Sequence, residues 1–142
     1  MIEICFVCTG NTCRSVMAER IAKKMAKEKK LKDVKFSSAG IYATGENITE
    51  NACLALKTLG YDGRKRKSVK LKKIQPNTIY VAVTNEHKRF INSKKVISFS
   101  ELAGEVLDPY GRDLNTYLSY AKQLEQNVEV LLNKIKNLRS GL

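Results

Sequence analysis

The chain has 142 residues, 43% of them hydrophobic, which is enough apolar surface for one domain to fold around its own core without disulfides or structural metal. Lys and Arg number 26 against 14 Asp and Glu, a formal net charge of +12. This favours anionic ligands, but the excess gathers as lysine in segments 23–35 and 64–73 with no interleaved aromatics to stack bases, so it reads as solvated surface and nucleic acid is not expected as a partner. No apolar run approaches the ~18 residues of a membrane span, and the opening MIEICFVC has neither a basic flank nor a small-residue cleavage site, so a soluble, cytoplasmic protein without membrane partners is expected.

Residues 2–7 (IEICFV) are β-branched and aromatic and lead at once into a polar, glycine-containing turn, which predicts a first strand. Ser15 is expected to open a helix to about residue 30, with Met17, Ile21, Ala22 and Met25 inward and Glu19, Lys23, Lys24 and Lys27 outward. Residues 34–41 read as a second strand entering a loop at 42–46. Thr49 is a candidate cap for a helix carrying Ala52, Leu54, Ala55, Leu56 and Leu59, which Gly60 ends. Pro76 and Asn77 mark a turn before a third strand at 78–84, a helical segment follows at 86–91, and 96–99 form a short fourth strand. After a loop at 107–111, a long amphipathic helix runs over 114–138 with Leu118, Leu124, Val128, Leu131, Leu132 and Ile135 inward. Strands alternating with helices predict a single α/β domain over 1–142, a three-layer sandwich with a mostly parallel four-stranded sheet between helices.

The four cysteines at 5, 8, 13 and 53 are read as reduced thiols, because a chain this long needs no disulfide framework. Cys5 and Cys8 form one Cys-x-x-Cys, but the residues between them are strand, where the two side chains point to opposite faces. No second pair accompanies them and His87 is the only histidine, so neither a metal nor another cofactor is expected.

In an open α/β sheet the ligand site lies beyond the carboxyl ends of the strands, and the first strand here runs into Cys8-Thr9-Gly10-Asn11-Thr12-Cys13-Arg14-Ser15. A short loop between strand and helix can turn its N–H groups inward, and with the helix dipole these bind an anion. Gly10 and Asn11 are residue types that tolerate the positive φ such a cradle needs. Arg14 stands six residues after Cys8, where its guanidinium can fork two phosphoryl oxygens. A helix N-terminus and an arginine also favour a thiolate, so Cys8 is a candidate nucleophile.

The segment VCTGNTCRS, with MAE one residue later, resembles the phosphate-binding loop of the low-molecular-weight protein tyrosine phosphatase family. SSAG at 37–40, VAVTNEHKR at 81–89 and DPYG at 108–111 resemble its second-strand signature, its third strand and turn, and its general-acid loop. The resemblance spans nearly the whole chain. It implies that Cys8 is the nucleophile, that Arg14 binds the phosphoryl group together with the loop residues Thr9, Gly10, Asn11, Thr12, Cys13 and Ser15, and that Asp108 protonates the leaving atom and then activates water. Read from the residues alone, Asp108-Pro109 is equally an ordinary turn. The resemblance further implies that Ser15 bonds the cysteine sulfur, that Asn11 and Ser38 hold the loop's shape, that Tyr110 borders the substrate, and that Cys13 can trap oxidised Cys8 as a disulfide, against a buried inert thiol as the plain alternative. Phosphorylated proteins are then the substrates, with inorganic phosphate or vanadate as inhibitors, for a monomer or weak dimer.

Two positions depart from the family pattern. Val16 stands where proline is usual, which loses some preorganisation at the helix start, and Arg66-Lys67-Ser68-Val69-Lys70-Leu71 replaces an H-x-S-x-x-L segment, which leaves a loop-supporting hydrogen bond from that stretch open. His87 is expected on a solvated turn. Thr12, where tyrosine-specific members usually carry an aliphatic residue, and the Asp-Pro-aromatic-Gly acid loop resemble the protein arginine phosphatase branch, so phosphoarginine is the first expectation and phosphotyrosine the second. An arsenate reductase would need two late cysteines, and only Cys53 lies beyond the loop; a non-catalytic binding role would leave Cys8, Arg14 and Asp108 without purpose.

Overall fold

The computed structural model describes residues 1–140. Four strands, β1 (Ile2–Cys8), β2 (Val34–Gly40), β3 (Thr78–Ala82) and β4 (Val96–Ser98), alternate with α1 (Arg14–Glu28), α2 (Glu50–Thr58), α3 (Asn85–Arg89) and α4 (Leu114–Ser140). The strands form one sheet in the order β2-β1-β3-β4, and every pair is parallel. The expected single-domain α/β sandwich, a four-stranded parallel sheet flanked by helices, is the observed fold.

Alternation along β1 divides the core. Ile4, Phe6 and Cys8 face α1, α2 and α4 in the larger cluster, where Phe6 meets Phe36 and Phe99 and α4 contributes Tyr117, Ala121, Leu124, Val128, Leu131, Leu132 and Ile135. Leu118 is only partly buried. Cys5 and Val7 face the other way, against Ala39, Tyr80, Ala82 and Ile91, with Ile41, Leu71 and Ile74 beside them. Helix α3 and the 71–74 segment therefore make a thinner layer on that face.

Several boundaries move by a residue. Helix α1 begins at Arg14, with Cys13 at its N-cap making no side-chain cap. Thr49 caps α2 as expected, its hydroxyl accepting from Ala52 N at 3.2 Å. Phe99 leaves the fourth strand for a 3₁₀ turn, because Ser98 and Glu101 close a reciprocal capping box there. Val16 lies in a buried cluster with Ile48 and Cys53. Among the described residues no helix is long and apolar enough to cross a membrane.

Since β2 lies on one side of β1 and β3 on the other, the order reverses at β1, and the loop after it opens at the switch point where α/β folds bind ligands. The register sets Cys8 beside Gly40 and Val7 beside Ala82. The ends of β2 and β3 thus flank the loop.

Candidate active site

The 8–15 loop is fixed first through its carbonyls. Cys8 O accepts from Ile41 N at 3.0 Å, Thr9 O from Tyr42 N at 2.9 Å, Thr12 O from Thr49 N at 3.0 Å and Cys13 O from Met17 N at 2.9 Å. In a planar trans peptide the N–H points opposite the C=O, so carbonyls engaged with the surrounding backbone turn the following amides toward the loop's interior.

Asn11 is the left-handed residue of the loop, with φ +54. Such a conformation costs an ordinary L-residue about 1–2 kcal/mol, and here four hydrogen bonds offset it. Its Nδ2 donates to Ser15 Oγ at 2.8 Å and Ser38 Oγ at 2.9 Å, while its Oδ1 accepts from Val69 N at 2.9 Å and Arg66 Nη2 at 3.0 Å. Gly10 does not take the positive φ anticipated for it, because Asn11 makes the turn alone. A Cβ on Gly10 would meet only Thr12 Oγ1, at 3.6 Å, so its bare Cα keeps the cavity open rather than relieving a clash.

The sulfur of Cys8 receives Asn11 N–H at 3.2 Å and lies 2.8 Å from Ser15 Oγ. Ser15 Oγ accepts from Asn11 and has its own proton free for the sulfur, so a hydroxyl and a backbone amide converge on Cys8 Sγ. Ser15 is therefore committed to Cys8 and not to capping its helix. Cys5, on the other face of β1, is instead pushed up to about 11 by burial and remains a core thiol.

Arg14 is buried, and Nη1 donates to Val106 O at 3.0 Å, while Nη2 lies 3.9 Å from Asp108 Oδ2. The 106–110 segment thus meets the arginine directly. Asp108, with its side chain 54% exposed, accepts from Tyr110 N at 3.0 Å in a tight turn. Cys8, Arg14 and Asp108 line one cavity of about 230 Å³ together with Thr9, Gly10, Thr12, Cys13 and Tyr110. Tyr42, Thr44 and Glu46 complete its wall. These three were not anticipated, and they enter because Tyr42 N is pinned to Thr9 O just after β2.

Two expectations are overturned here: Glu19, expected on the outer face of α1, is buried against Ser38 and Arg66, and His87, expected in solvent, is buried. Segment 66–71 does support the loop: Arg66 Nη2 reaches both Asn11 Oδ1 and Ser38 Oγ (2.7 Å), Nη1 pairs with Glu19 Oε1 at 3.1 Å, and Val69 N bonds Asn11. The long guanidinium also supplies a charge partner for Glu19, which is buried and takes Ser38 Oγ at 2.6 Å and Lys23 Nζ at 2.6 Å. Arg66 is accordingly not part of the solvated basic surface. His87 is buried rather than solvated, its Nε2 2.7 Å from Thr9 Oγ1 and its Nδ1 2.8 Å from Thr84 Oγ1. Burial, and then the nearby Arg14 charge, hold its pKa below the ordinary 6.5.

Gly40, the last residue of the SSAG segment, shapes the loop from β2. A Cβ on it would lie 2.7 Å from Thr9 O, Gly10 C and Asn11 N, so the loop backbone packs directly on a bare Cα. Cys13 is buried with its sulfur 3.2 Å from Tyr117 Oη and 3.5 Å from Thr49 Oγ1, and burial raises its pKa. Cys53 is buried with Val16 and Ile48 and does not line the cavity. Among the described residues no group of three His, Cys, Asp or Glu side chains could hold a metal ion.

An oxyanion cradle closing on a cysteine and an arginine, at the switch point of a parallel sheet, defines a cysteine-dependent phosphatase. The model of the family described as low molecular weight phosphotyrosine protein phosphatase matches residues 3–140, and the chain belongs to that family. It is 32% identical to the protein-arginine-phosphatase of Bacillus subtilis, over 97% of this chain and 99% of the relative. It is 33% identical to the low molecular weight protein-tyrosine-phosphatase PtpB of Staphylococcus aureus, over 96% and 99%. The solved structure of the YwlE arginine phosphatase from Geobacillus stearothermophilus superposes with a TM-score of 0.86 at 30% identity, covering 99% of this chain and 97% of that one.

Proposed function

We propose that the chain is a cytoplasmic protein arginine phosphatase that transfers the phosphoryl group of phosphoarginine to Cys8 and hydrolyses the resulting phosphocysteine. Cys8 Sγ attacks phosphorus as the P–N bond to the guanidinium breaks. Arg14 and the inward loop amides hold the equatorial oxygens, and Asp108 gives its proton to the leaving nitrogen. In the second half Asp108 takes a proton from water, the water oxygen bonds phosphorus, and the S–P bond breaks. Ser15, which donates to the sulfur, eases its departure as a thiolate. By the same reasoning phosphate or vanadate, seated in this cradle, would be competitive inhibitors.

The observation that carries the substrate choice is the polar wall around the nucleophile: Thr12, Thr44 and the carboxylate of Glu46 share the cavity with Cys8. A guanidinium leaving group is cationic and rich in donors, and this lining suits it better than a phenyl ring. The similarity to a protein-arginine-phosphatase supports the same choice. A phosphotyrosine reading is favoured by one feature, the two tyrosines Tyr42 and Tyr110 in the same lining, between which a phenyl ring could stack.

The discriminating experiment measures phosphate release from phosphoarginine and phosphotyrosine peptides side by side, for the wild type and for Thr12→Ile. The arginine reading predicts a higher kcat/KM on phosphoarginine and a selectivity shift of about tenfold or more toward phosphotyrosine in the variant, equivalent to about 1.4 kcal/mol in relative barriers. A wild type inert toward phosphoarginine, or parallel changes on both substrates, would transfer the assignment to tyrosine. Oxidation of Cys8 to a sulfenic acid followed by attack of Cys13, with loss of water, would give a protective disulfide. Thiol recovery of peroxide-treated enzyme should then be poorer in Cys13→Ser; equal recovery would leave Cys13 a structural thiol.

A further inference from the structure

His87 carries no part of the chemistry above, yet it is the chain's single histidine, buried, and hydrogen-bonded to the residue that follows the nucleophile. Its two ring nitrogens are both engaged, by Thr9 Oγ1 at 2.7 Å and Thr84 Oγ1 at 2.8 Å. Thr84 sits just past the end of β3 as the N-cap of α3, and its hydroxyl oxygen already accepts His87 N–H at 3.2 Å.

Counting protons assigns the direction of this chain. A threonine hydroxyl has one proton to give. If Nδ1 of His87 carried hydrogen, Thr84 Oγ1 would accept twice from the same residue, and its own proton would have no protein acceptor among the described residues. If instead Thr84 donates to Nδ1, every group is used: the oxygen accepts the backbone N–H, its proton goes to Nδ1, and the ring hydrogen stands on Nε2, aimed at Thr9 Oγ1. Thr9, which lines the cavity beside Cys8 and Arg14, then accepts at its oxygen and keeps its own proton for the cavity.

We propose that His87 is a positioning residue, a neutral Nε2–H imidazole that fixes the Thr9 hydroxyl as a donor to a phosphoryl oxygen. The chain runs from Thr84 through His87 and Thr9 to the ligand, so that the end of β3 braces the phosphate cradle opposite the brace supplied by Asn11, Ser38 and Arg66. The charged groups around the ring agree with a neutral form. Arg14 opposes a second positive charge, and the carboxylates Glu86, Asp108 and Glu105 act the other way but do not prevail against burial and Arg14. Phosphate itself is indifferent to whether arginine or tyrosine carried it, so this inference rests on the phosphoryl-binding role of the loop and not on the substrate choice.

Two measurements that need no turnover test it. Because there is one histidine, long-range nitrogen–proton correlation spectra of the wild type at pH 7 report its tautomer without ambiguity. A protonated Nε2 with an acceptor Nδ1 is expected, whereas hydrogen on Nδ1, or an imidazolium, overturns the proposal. Binding of inorganic phosphate by calorimetry is the second. Thr9→Val should weaken it by roughly tenfold or more, the loss of one hydrogen bond to a charged group. His87→Leu should weaken it as much, and the double variant Thr9→Val/His87→Leu no further. His87→Gln, whose amide can place an N–H near the position of Nε2, should stay close to wild type. Additive losses, an unaffected Thr9→Val, or a His87→Gln protein as weak as His87→Leu would each refute the positioning role, and the tautomer stands as an independent test should His87→Leu fail to fold.

Discussion

Gly40→Ala inserts one methyl group where β2 ends against the phosphate loop. The new Cβ would stand 2.7 Å from three backbone atoms, Thr9 O, Gly10 C and Asn11 N, where ordinary contact starts at 3.4 Å. The loop or the strand end must therefore yield by about 0.7 Å, the difference between those two distances. Neither moves freely. Gly40 N donates to Val69 O at 2.8 Å and its O accepts from Leu71 N at 2.9 Å, while Ile41 N and Tyr42 N hold the carbonyls of Cys8 and Thr9. Overpacking of this kind costs about 1–3 kcal/mol, and a displacement approaching 1 Å at a positioned nucleophile can cost about 10²-fold in rate. We expect Gly40→Ala to fold with a lowered urea midpoint and to lose about 10²-fold in kcat/KM on an aryl phosphate, with weaker inhibition by phosphate. Wild-type kinetics at wild-type stability would show that the close approach does not shape the loop.

Arg66→Ala removes hydrogen bonds to Asn11 and Ser38 and the ion pair to Glu19, which keeps Lys23 and Ser38; a loss of about 1.5–3 kcal/mol in urea unfolding is expected, with kcat/KM falling too, and an unchanged pair of values would make the network ornamental. Asp108→Asn should lose most activity on phosphoarginine and alkyl phosphates but less on an aryl phosphate with an acidic leaving group, since that oxygen needs little protonation; equal losses would remove Asp108 from the acid role. The His87 pKa is lowered in the folded protein, so the unfolded chain takes up the proton first as pH falls through 6.5. Stability from this residue is therefore full above that pH and declines below it, and His87→Gln should flatten this part of a urea-midpoint profile against pH; an identical slope in both proteins would contradict the buried neutral ring.

The strands and the two long helices were legible in different ways: β1 is a short β-branched and aromatic run buried on both faces, while α4 repeats its apolar residues at helical spacing. Loop chemistry was legible where adjacent residues carry it, as in the 8–15 segment. What escaped was carried by contacts distant in sequence. Arg66 belongs to no motif, and its guanidinium spans from Glu19 to Asn11, a geometry invisible until the end of β2 and the 66–71 segment are placed side by side. His87 falls outside the catalytic motifs and its neighbours Glu86, Lys88 and Arg89 are charged, yet one residue in a short helix can turn inward alone. Tyr42, Thr44 and Glu46 form no motif and join the cavity only through the register of β1 with β2. Gly10 was given the conformation that Asn11 adopts, since both types tolerate it and spacing alone does not choose.

The most direct test of the account quenches the enzyme with acid during turnover of a phosphoarginine protein, then seeks the phosphoryl group by mass spectrometry. We expect it on the peptide that contains Cys8, appearing and decaying at rates compatible with turnover, with no phosphate release by Cys8→Ser. Turnover at an appreciable rate by Cys8→Ser, or a wild type that hydrolyses phosphoarginine without the phosphoryl group ever residing on Cys8, would contradict the covalent mechanism at its first step.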